Sequence, residues 1–366
     1  MFLEKIELVS FRNYIRLSVQ PHRELNFITG RNARGKTNFL EAVFFAGSGA
    51  SFRHNDRNMI RWGEDYARVE AVFGLTGGVV TVKAEIQSEG GKKLLVDGAG
   101  GGRRQLPGRF GIVLFRPDDL QIIKGSPSQR RDFIDNDLGL IEPLYRDALT
   151  KYRRVLFQRN NLLRTVRENS VGAMQVWNEQ FYRYGAQLLL MRMRLLKKFF
   201  PLVCQSYLDI AGDGEKIEMK YLSTVKLSGE KAVEQIIKDF AAEGKARERE
   251  ELYKKQTVVG PHRDDMVFYL DGKDVRQFGS QGQIRSLVLA LKAAQMHMFH
   301  RETGEQPILL LDDVLMELDA ARQQYLMHNI IGGGRQTFVT SATGIENFCR
   351  QKGKIYLVDG YGMKEV

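Results

Sequence analysis

Gly30-Arg31-Asn32-Ala33-Arg34-Gly35-Lys36-Thr37 is the stretch that decides the fold of this chain. It matches G-x-x-x-x-G-K-[ST], the phosphate-binding loop, without a mismatch. The context agrees: residues 25–28 (LNFI) read as a short strand before the loop, and residues 37–46 (TNFLEAVFFA) as an apolar helix after it. Glycines let the backbone curl around phosphate oxygens, and N–H groups at the helix start point positive dipole at them. In that geometry Lys36 meets the β- and γ-phosphates and Thr37 ligates magnesium. An ordinary strand–turn–helix with a lysine in its first turn leaves this spacing unexplained.

The bulk properties bound what surrounds the loop. At 366 residues the chain is long enough for two domains or one elaborate one. Fifty-five Lys+Arg against 44 Asp+Glu leave a formal charge of +11, which points to an anionic partner such as nucleic acid or a membrane surface. Cys204 and Cys349 lie far apart without C-x-x-C spacing, which suits a reducing cytosol and argues against a zinc site or disulfide framework. No apolar run approaches the ~20 residues of a membrane span. The opening residues, MFLEKIELVSF, alternate like a strand and lack a signal-peptide core. A cytoplasmic protein is the expectation.

Along the chain, residues 2–8 and 14–19 alternate as strands ahead of the loop. Short β-like runs at 67–75, 79–86 and 93–96 are separated by Gly-Gly and Asp-Gly turns, the chemistry of an antiparallel meander. Glycines 98, 100, 101 and 102 read as a loop. From about 126 a helical period takes over. Tyr145, Leu149, Tyr152, Leu156, Arg159, Leu163 and Val166 form one heptad-type stripe, and Met174, Trp177, Phe181, Tyr184, Leu188, Met191 and Leu195 a second. With a turn at 168–172 they predict an antiparallel hairpin, in which Arg159 is the one charged residue on a stripe. Residues 228–256 read as mixed-sign solvated helix. Buried strands return at 308–311, 337–340 and 354–358. The expectation is an α/β domain assembled from 1–125 and 257–366, with a helical insertion at 126–256 and its hairpin at 145–199.

The hairpin is lopsided in charge. Residues 151–200 hold eleven Lys/Arg against two Glu, where a merely solvated face mixes both signs. The asymmetry marks an anion-binding surface, on which Arg153, Arg154, Arg192, Arg194, Lys197 and Lys198 are the candidate DNA-binding residues where the anion is nucleic acid.

Two further motifs complete the loop's chemistry. Residues 308–313 (ILLLDD) read as a buried strand ending in carboxylates, with Asp312 as the magnesium partner opposite Thr37. Asp313 takes the place of the carboxylate that orients the attacking water, one methylene shorter than the usual glutamate, which predicts slow hydrolysis. Ser280-Gln281-Gly282-Gln283 opens a helix, where a serine and a glycine form an anion cradle. Its order ahead of the aspartate-tipped strand resembles the ATP-binding-cassette superfamily, whose signature S-x-G-Q it matches. There the signature binds ATP held by the opposite subunit. Glu317-Leu318-Asp319 matches the D-loop of that superfamily, and Thr340-Ser341 falls where its switch histidine usually lies.

Within it, four further stretches narrow the match: Phe11-Arg12-Asn13-Tyr14, Arg116-Pro117-Asp118-Asp119-Leu120, Gly125 to Arg131 (GSPSQRR) and Gly260-Pro261-His262-Arg263-Asp264-Asp265. Together these resemble the RecF family of bacterial recombination mediators over essentially the whole chain. That family carries an ABC/SMC-like P-loop ATPase head with an antiparallel β subdomain and a short inserted helical lid. The resemblance implies ATP and Mg2+ as cofactors, with ATP contacts at Gly30, Arg31, Asn32, Ala33, Arg34, Gly35, Lys36, Thr37, Asn38 and Arg12. In trans it implies Ser280, Gly282 and Gln283. Catalytic roles fall to Lys36, Asp312, Asp313 and Ser280, and metal binding to Thr37 and Asp312. Ala33 departs from the glycine often found at its position, and an alanine of compatible backbone angles leaves the cradle working. Arg53 is a candidate arginine finger, and His262 and Arg263 are candidates either to line the site or to bridge the two lobes.

The implied function is an ATP-dependent homodimer with weak, DNA-stimulated ATPase activity. It clamps gapped DNA or single-strand/duplex junctions and acts with RecR and RecO in loading RecA. Two other readings are a transporter ATPase subunit and a P-loop phosphotransferase. The basic hairpin and Thr340-Ser341 oppose the first, and Ser280–Gln283 at a helix start opposes the second.

Overall fold

The computed structural model describes residues 1–53, 55–100, 102–106, 108–165, 171–212, 214–226, 232–331, 333–341, 353–360 and 362–366. Gly101, Val166, the turn residues 168–170, residues 228–231 and Cys349 lie outside them. The chain forms two compact units, Met1–Asp119 with Arg285–Val366, and Leu120–Ile284.

The first unit holds two six-stranded sheets. One is antiparallel: β1 (Phe2–Phe11), β2 (Tyr14–Val19), β4 (Tyr66–Leu75), β5 (Gly78–Gln87), β6 (Lys92–Val96) and β7 (Ala99–Gly100), in the order β2-β1-β4-β5-β6-β7. Its alternating burial, as in β2 and β5, is that of strands with one face on a core. The other contains β3 (Leu25–Thr29), β8 (Ile112–Phe115), β12 (Ile308–Asp312), β13 (Thr337–Thr340), β14 (Gly353–Val358) and β15 (Met363–Glu365). Its order is β15-β14-β3-β13-β12-β8, and every pairing is parallel except β14 with β15. Continuous apolar runs such as Leu309-Leu310-Leu311 suit strands covered on both faces. Helix α1 (Lys36–Ser48) packs against strands of both sheets. That is why Phe39, Leu40, Val43, Phe45 and Ala46 are all buried, giving a helix apolar on every side.

The second unit contains the hairpin of α2 (Pro143–Arg164) and α3 (Val171–Ala211), then β9 (Ile217–Leu222), α4 (Val233–Ala246), α5 (Glu248–Lys254), β10 (Asp265–Leu270) and β11 (Lys273–Asp274). The two stripes meet as expected, with Tyr152 stacked on Phe181 at 5.5 Å between ring centroids. Helix α3 runs on through Pro201, because Phe199, Val203 and Tyr207 are buried on either side of it.

The unit's limits differ from the expected 126–256. Residues 257–284 lie within it because β10 pairs antiparallel with β9 over Asp265–Leu270. Asp264, fully buried, also accepts hydrogen bonds from Tyr221 Oη (2.7 Å) and the Thr224 N–H (2.7 Å). Residues 120–125 fall in the same unit. Nor is 232–256 simply solvated: Ile236, Phe240 and Glu251 are buried.

His262 sits in the core of this unit. Its Nε2 lies 3.1 Å from the Thr257 carbonyl, which only accepts, so Nε2 carries the proton and Nδ1 accepts from Tyr152 Oη at 2.6 Å. Burial pushes its pKa down to about 3, against the pull of the Thr257 carbonyl. The unfolded chain therefore takes up a proton near pH 6.5 that the fold refuses, so stability is whole above that pH and falls as pH drops toward 3. The loss approaches about 1.4 kcal/mol per pH unit inside this window. Urea unfolding between pH 6 and 4 should show a flatter pH slope in His262→Gln than in the parent; equal slopes would contradict a neutral buried imidazole.

Candidate nucleotide site

Strand β3, the loop and α1 set the geometry. Gly30 has φ +141°, and a Cβ there would meet the Val358 carbonyl oxygen at 2.5 Å. Gly35 has φ +114°, and a Cβ there would collide with the Asn13 side chain. Both positions accept glycine alone. Ala33, by contrast, holds φ +62°. The alanine thus occupies the left-handed region at a cost of about 1–2 kcal/mol, rather than finding an ordinary conformation.

Lys36 is 5% exposed and turns into the loop, its Nζ donating to the Gly30 carbonyl at 2.8 Å. Asn13 ties the loop from outside. Its amide donates to the carbonyls of Arg34 (3.1 Å) and Gly360 (2.8 Å), and Tyr14 Oη donates to that of Gly35 (3.0 Å). The Thr37 hydroxyl donates to Asp312 Oδ1 at 2.9 Å, and Thr340 Oγ1 lies 2.9 Å from the same oxygen. Burial raises the pKa of Asp312, opposed by these two hydrogen bonds. The Asp313 N–H donates to Thr340 Oγ1 (3.0 Å), and Asp313, at φ +53°, lines a pocket of about 180 Å³ with Lys36, Thr37, Asn38 and Arg53. The hydroxyl of Thr37 and the carboxylate of Asp312 are hard oxygen donors, the set that suits Mg2+ completed by phosphate oxygens. Among the described residues no cluster of three His, Cys, Asp or Glu forms a metal site.

A family model described as RecF/RecN/SMC N terminal domain matches residues 2–358. The DNA replication and repair protein RecF of Pelotomaculum thermopropionicum is 42% identical over 366 residues, spanning 98% of this chain and 99% of that protein. The chain belongs to the RecF family. Two solved structures of the recombination mediator protein RecF in the RecFOR pathway, described as RecF-ATPrS and RecF-ATP, match with TM-scores of 0.93 and 0.91. They are 28% and 29% identical, and each match covers 100% of this chain and 98% and 97% of theirs. The fold is the α/β ATPase head that RecF shares with SMC proteins.

The two arginines carried over from the family by position turn out to share one partner. Arg12 grips Glu41 with two hydrogen bonds of 2.8 Å, and Arg53 reaches Glu41 at 3.3 Å and Asn38 Oδ1 at 2.9 Å. Ser51 Oγ also donates to Glu41 (2.6 Å), which is fully buried in α1. Sequence reasoning missed Glu41, although a lone acid inside an otherwise apolar helix is a signal that a cation must meet it. Asn13 and Tyr14 were legible only as part of the Phe11–Tyr14 stretch and carried no role there, because their contacts with the loop are non-local.

In the second unit, Ser280 caps α6 (Gln281–Thr303). The Gln283 N–H donates to Ser280 Oγ (3.1 Å) and Gln283 Oε1 accepts from the Ser280 N–H (2.7 Å), a reciprocal capping box. Ser280 is exposed, Gly282 half-buried, and Gln283 Nε2 donates to Glu215 (2.6 Å). His262 and Arg263 bind the Thr257 carbonyl within the same unit.

The six basic candidates divide. Arg154, Arg194, Lys197 and Lys198 are exposed, and Arg153 is half-exposed with Asp135 at 3.2 Å. Arg192 is not a surface cation: it is 1% exposed, and its guanidinium reaches Asp135 (2.8 Å), Tyr145 Oη (3.0 Å), Tyr221 Oη (2.9 Å) and the Pro261 carbonyl (2.8 Å). Burial opposes its charge, but Tyr221, Tyr145 and Asp135 outweigh it and raise its pKa. Arg159, the flaw in the stripe, is likewise internal, bound to Glu251 (2.5 Å), Thr257 Oγ1 (2.7 Å) and Asn178 (2.8 Å). Arg192→Met takes the buried cation from Asp135 and leaves it Tyr145 Oη and the half-exposed Arg153, so it should lower unfolding stability by about 3 kcal/mol, the low end for a broken buried pair. Its DNA affinity, measured on folded protein well below the melting temperature, should match the parent. A stable variant with weakened DNA binding would return Arg192 to the surface.

Proposed function

We propose that this chain is an ATP-dependent DNA-binding ATPase that acts as a recombination mediator in DNA repair and replication restart. The observation that carries the proposal is the phosphate loop joined to β12 through Thr37 and Asp312, in a chain 42% identical to a RecF over nearly its full length. ATP is the nucleotide because the solved relative described as RecF-ATP matches at a TM-score of 0.91. In this reading Lys36, released from the Gly30 carbonyl, supplies positive charge to the terminal phosphates, and the loop N–H groups hold the rest. Thr37 and Asp312 hold Mg2+, which when bound neutralises charge on the β- and γ-phosphates. Asp313 orients water from a side chain one methylene short, so hydrolysis is slow and serves to reset the complex.

Ser280, Gly282 and Gln283 complete the site of a second copy, so that ATP joins a homodimer. The exposed Arg153, Arg154, Arg194, Lys197 and Lys198 meet the phosphates of gapped DNA or a single-strand/duplex junction. RecR, with RecO, then promotes loading of RecA in the cytoplasm.

Sizing the full-length protein with and without ATP tests the dimer. Lys36→Ala should lose ATP affinity by roughly 10–100-fold and stay monomeric, whereas Ser280→Arg should bind ATP and still fail to dimerise. A Ser280→Arg dimer, or loss of ATP binding in that variant, sinks the trans assignment. Separately, removing Arg194, Lys197 and Lys198 together should reduce the slope of log affinity against log salt by about 0.9 for each phosphate no longer neutralised. An unchanged slope removes this face from the DNA interface.

A further inference from the structure

The serine that caps α6 is held by a chain of side chains to which the nucleotide chemistry gives no role. Gln283 occupies the third helical position after Ser280, where a glutamine or glutamate closes the capping box. Its Oε1 accepts from the Ser280 N–H, and its Nε2 donates to Glu215 Oε1 at 2.6 Å. The other carboxylate oxygen of Glu215 accepts from the Tyr207 hydroxyl. Tyr207 is 1% exposed and sits near the end of α3. Three side chains thus join Ser280 to the long helix of the hairpin.

The chemistry of each link fixes a direction. A side-chain amide has one accepting end and one donating end. Turned over, Gln283 would set its NH2 against the Ser280 N–H and its carbonyl against the Glu215 carboxylate, two repulsions at once. Glu215 therefore selects the orientation in which Gln283 closes the cap. A glutamate at 283 could close the same box, but it would bring a second negative charge against Glu215 and beside a serine that is to meet phosphate. The backbone carrying Glu215 is pinned as well. The Lys216 N–H donates to Asp271 Oδ1 (2.9 Å) and the Asp271 N–H to the Lys216 carbonyl (3.0 Å), with Ile217 paired to Leu270 just beyond. At the far end, Ser280 Oγ accepts from the Gln283 N–H at 3.1 Å, which leaves the hydroxyl proton to donate to a phosphate oxygen. On α3, the exposed Lys197 and Lys198 lie about 15 Å along the helix axis from Tyr207.

We propose that Glu215 is a positioning residue for the ATP site completed in trans. It holds Gln283, and through it the Ser280 hydroxyl, in the geometry that meets a second copy's nucleotide, and Tyr207 makes that geometry depend on α3. The inference rests on the trans reading of Ser280 above. DNA bound along the basic face of α3 then biases the signature of the same chain, and by linkage ATP-driven pairing strengthens DNA binding there.

Full-length parent, Glu215→Ala, Glu215→Gln and Tyr207→Phe are measured for ATP affinity at concentrations where the chain is monomeric. Their ATP-driven dimerisation is followed by sedimentation, with and without a gapped DNA duplex. Glu215→Ala should bind ATP like the parent and dimerise roughly 5–150-fold more weakly. Glu215→Gln should restore most of the dimer, because a glutamine can still accept from Gln283 while donating to the Tyr207 oxygen. Tyr207→Phe keeps the Gln283 contact, so without DNA it should dimerise like the parent, and the gain from added DNA should shrink. Glu215→Ala dimerising like the parent overturns the proposal. So does a loss of ATP affinity in monomeric Glu215→Ala, failure of Glu215→Gln to restore the dimer, or an identical DNA response in Tyr207→Phe and the parent. A parent that stays monomeric in ATP, or a Ser280→Arg variant that dimerises, removes the trans reading itself, a result distinct from each of these.

Discussion

Thr37 and Asp312 stand 275 residues apart in sequence and share a 2.9 Å hydrogen bond. That contact requires the order β3-β13-β12 in a parallel sheet, with α1 leaving β3 beside the tip of β12. The register is what places it. Ile28 pairs with Thr340 and Thr340 with Asp312, so one row across three strands carries the chain to the loop, the threonine and the carboxylate together. Thr340 fills this row with a hydroxyl that reaches both Asp312 and the Asp313 N–H. Burial pushes the pKa of Asp312 up, and those hydroxyls oppose that by favouring its charged form.

A second constraint is the buried charge of the helical unit. Arg192 with Asp135, and Arg159 with Glu251, are each almost wholly withdrawn from water. Such pairs repay their desolvation only with good geometry and further hydrogen bonds, which Tyr145, Tyr221, Thr257 and Asn178 provide. The segment 260–265 runs through this network: Pro261 offers its carbonyl to Arg192, and Asp264 takes up Tyr221 and Thr224. Two of the arginines that make the hairpin look basic are therefore structural. Net charge and local charge runs overstate the basic surface by that amount.

Legibility followed the range of the interactions. The loop, the meander, the two stripes and the aspartate-tipped strand were readable because each is a local pattern of period or spacing. Arg192 was misread because it stands in the same basic run as exposed Arg194 and Lys198, and local charge alone does not say which basic residue finds an internal acid. Glu251 was misread for the complementary reason, sitting among Arg247, Glu248, Arg249 and Glu250 in a run that looks solvated. The boundary at Leu120–Ile284 rather than 126–256 reflects strand pairing between β9 and β10, which no pattern in residues 257–284 announces.

By itself the sequence determined that this chain holds a nucleoside triphosphate on a strand–loop–helix turn, that an α/β head surrounds it, and that a helical hairpin interrupts the head. Those properties reside in residue type at short spacing: glycines where φ is positive, a lysine and threonine at the helix start, heptads where helices pair. Tertiary structure alone decided which charges are spent inside. It tied Arg12 and Arg53 to Glu41, drew Arg159 and Arg192 into the core, and left Trp62 standing in solvent beside the loop. The physical reason is that a charged or aromatic side chain takes its role from the partners and water around it, and those are assembled only when distant strands and helices meet.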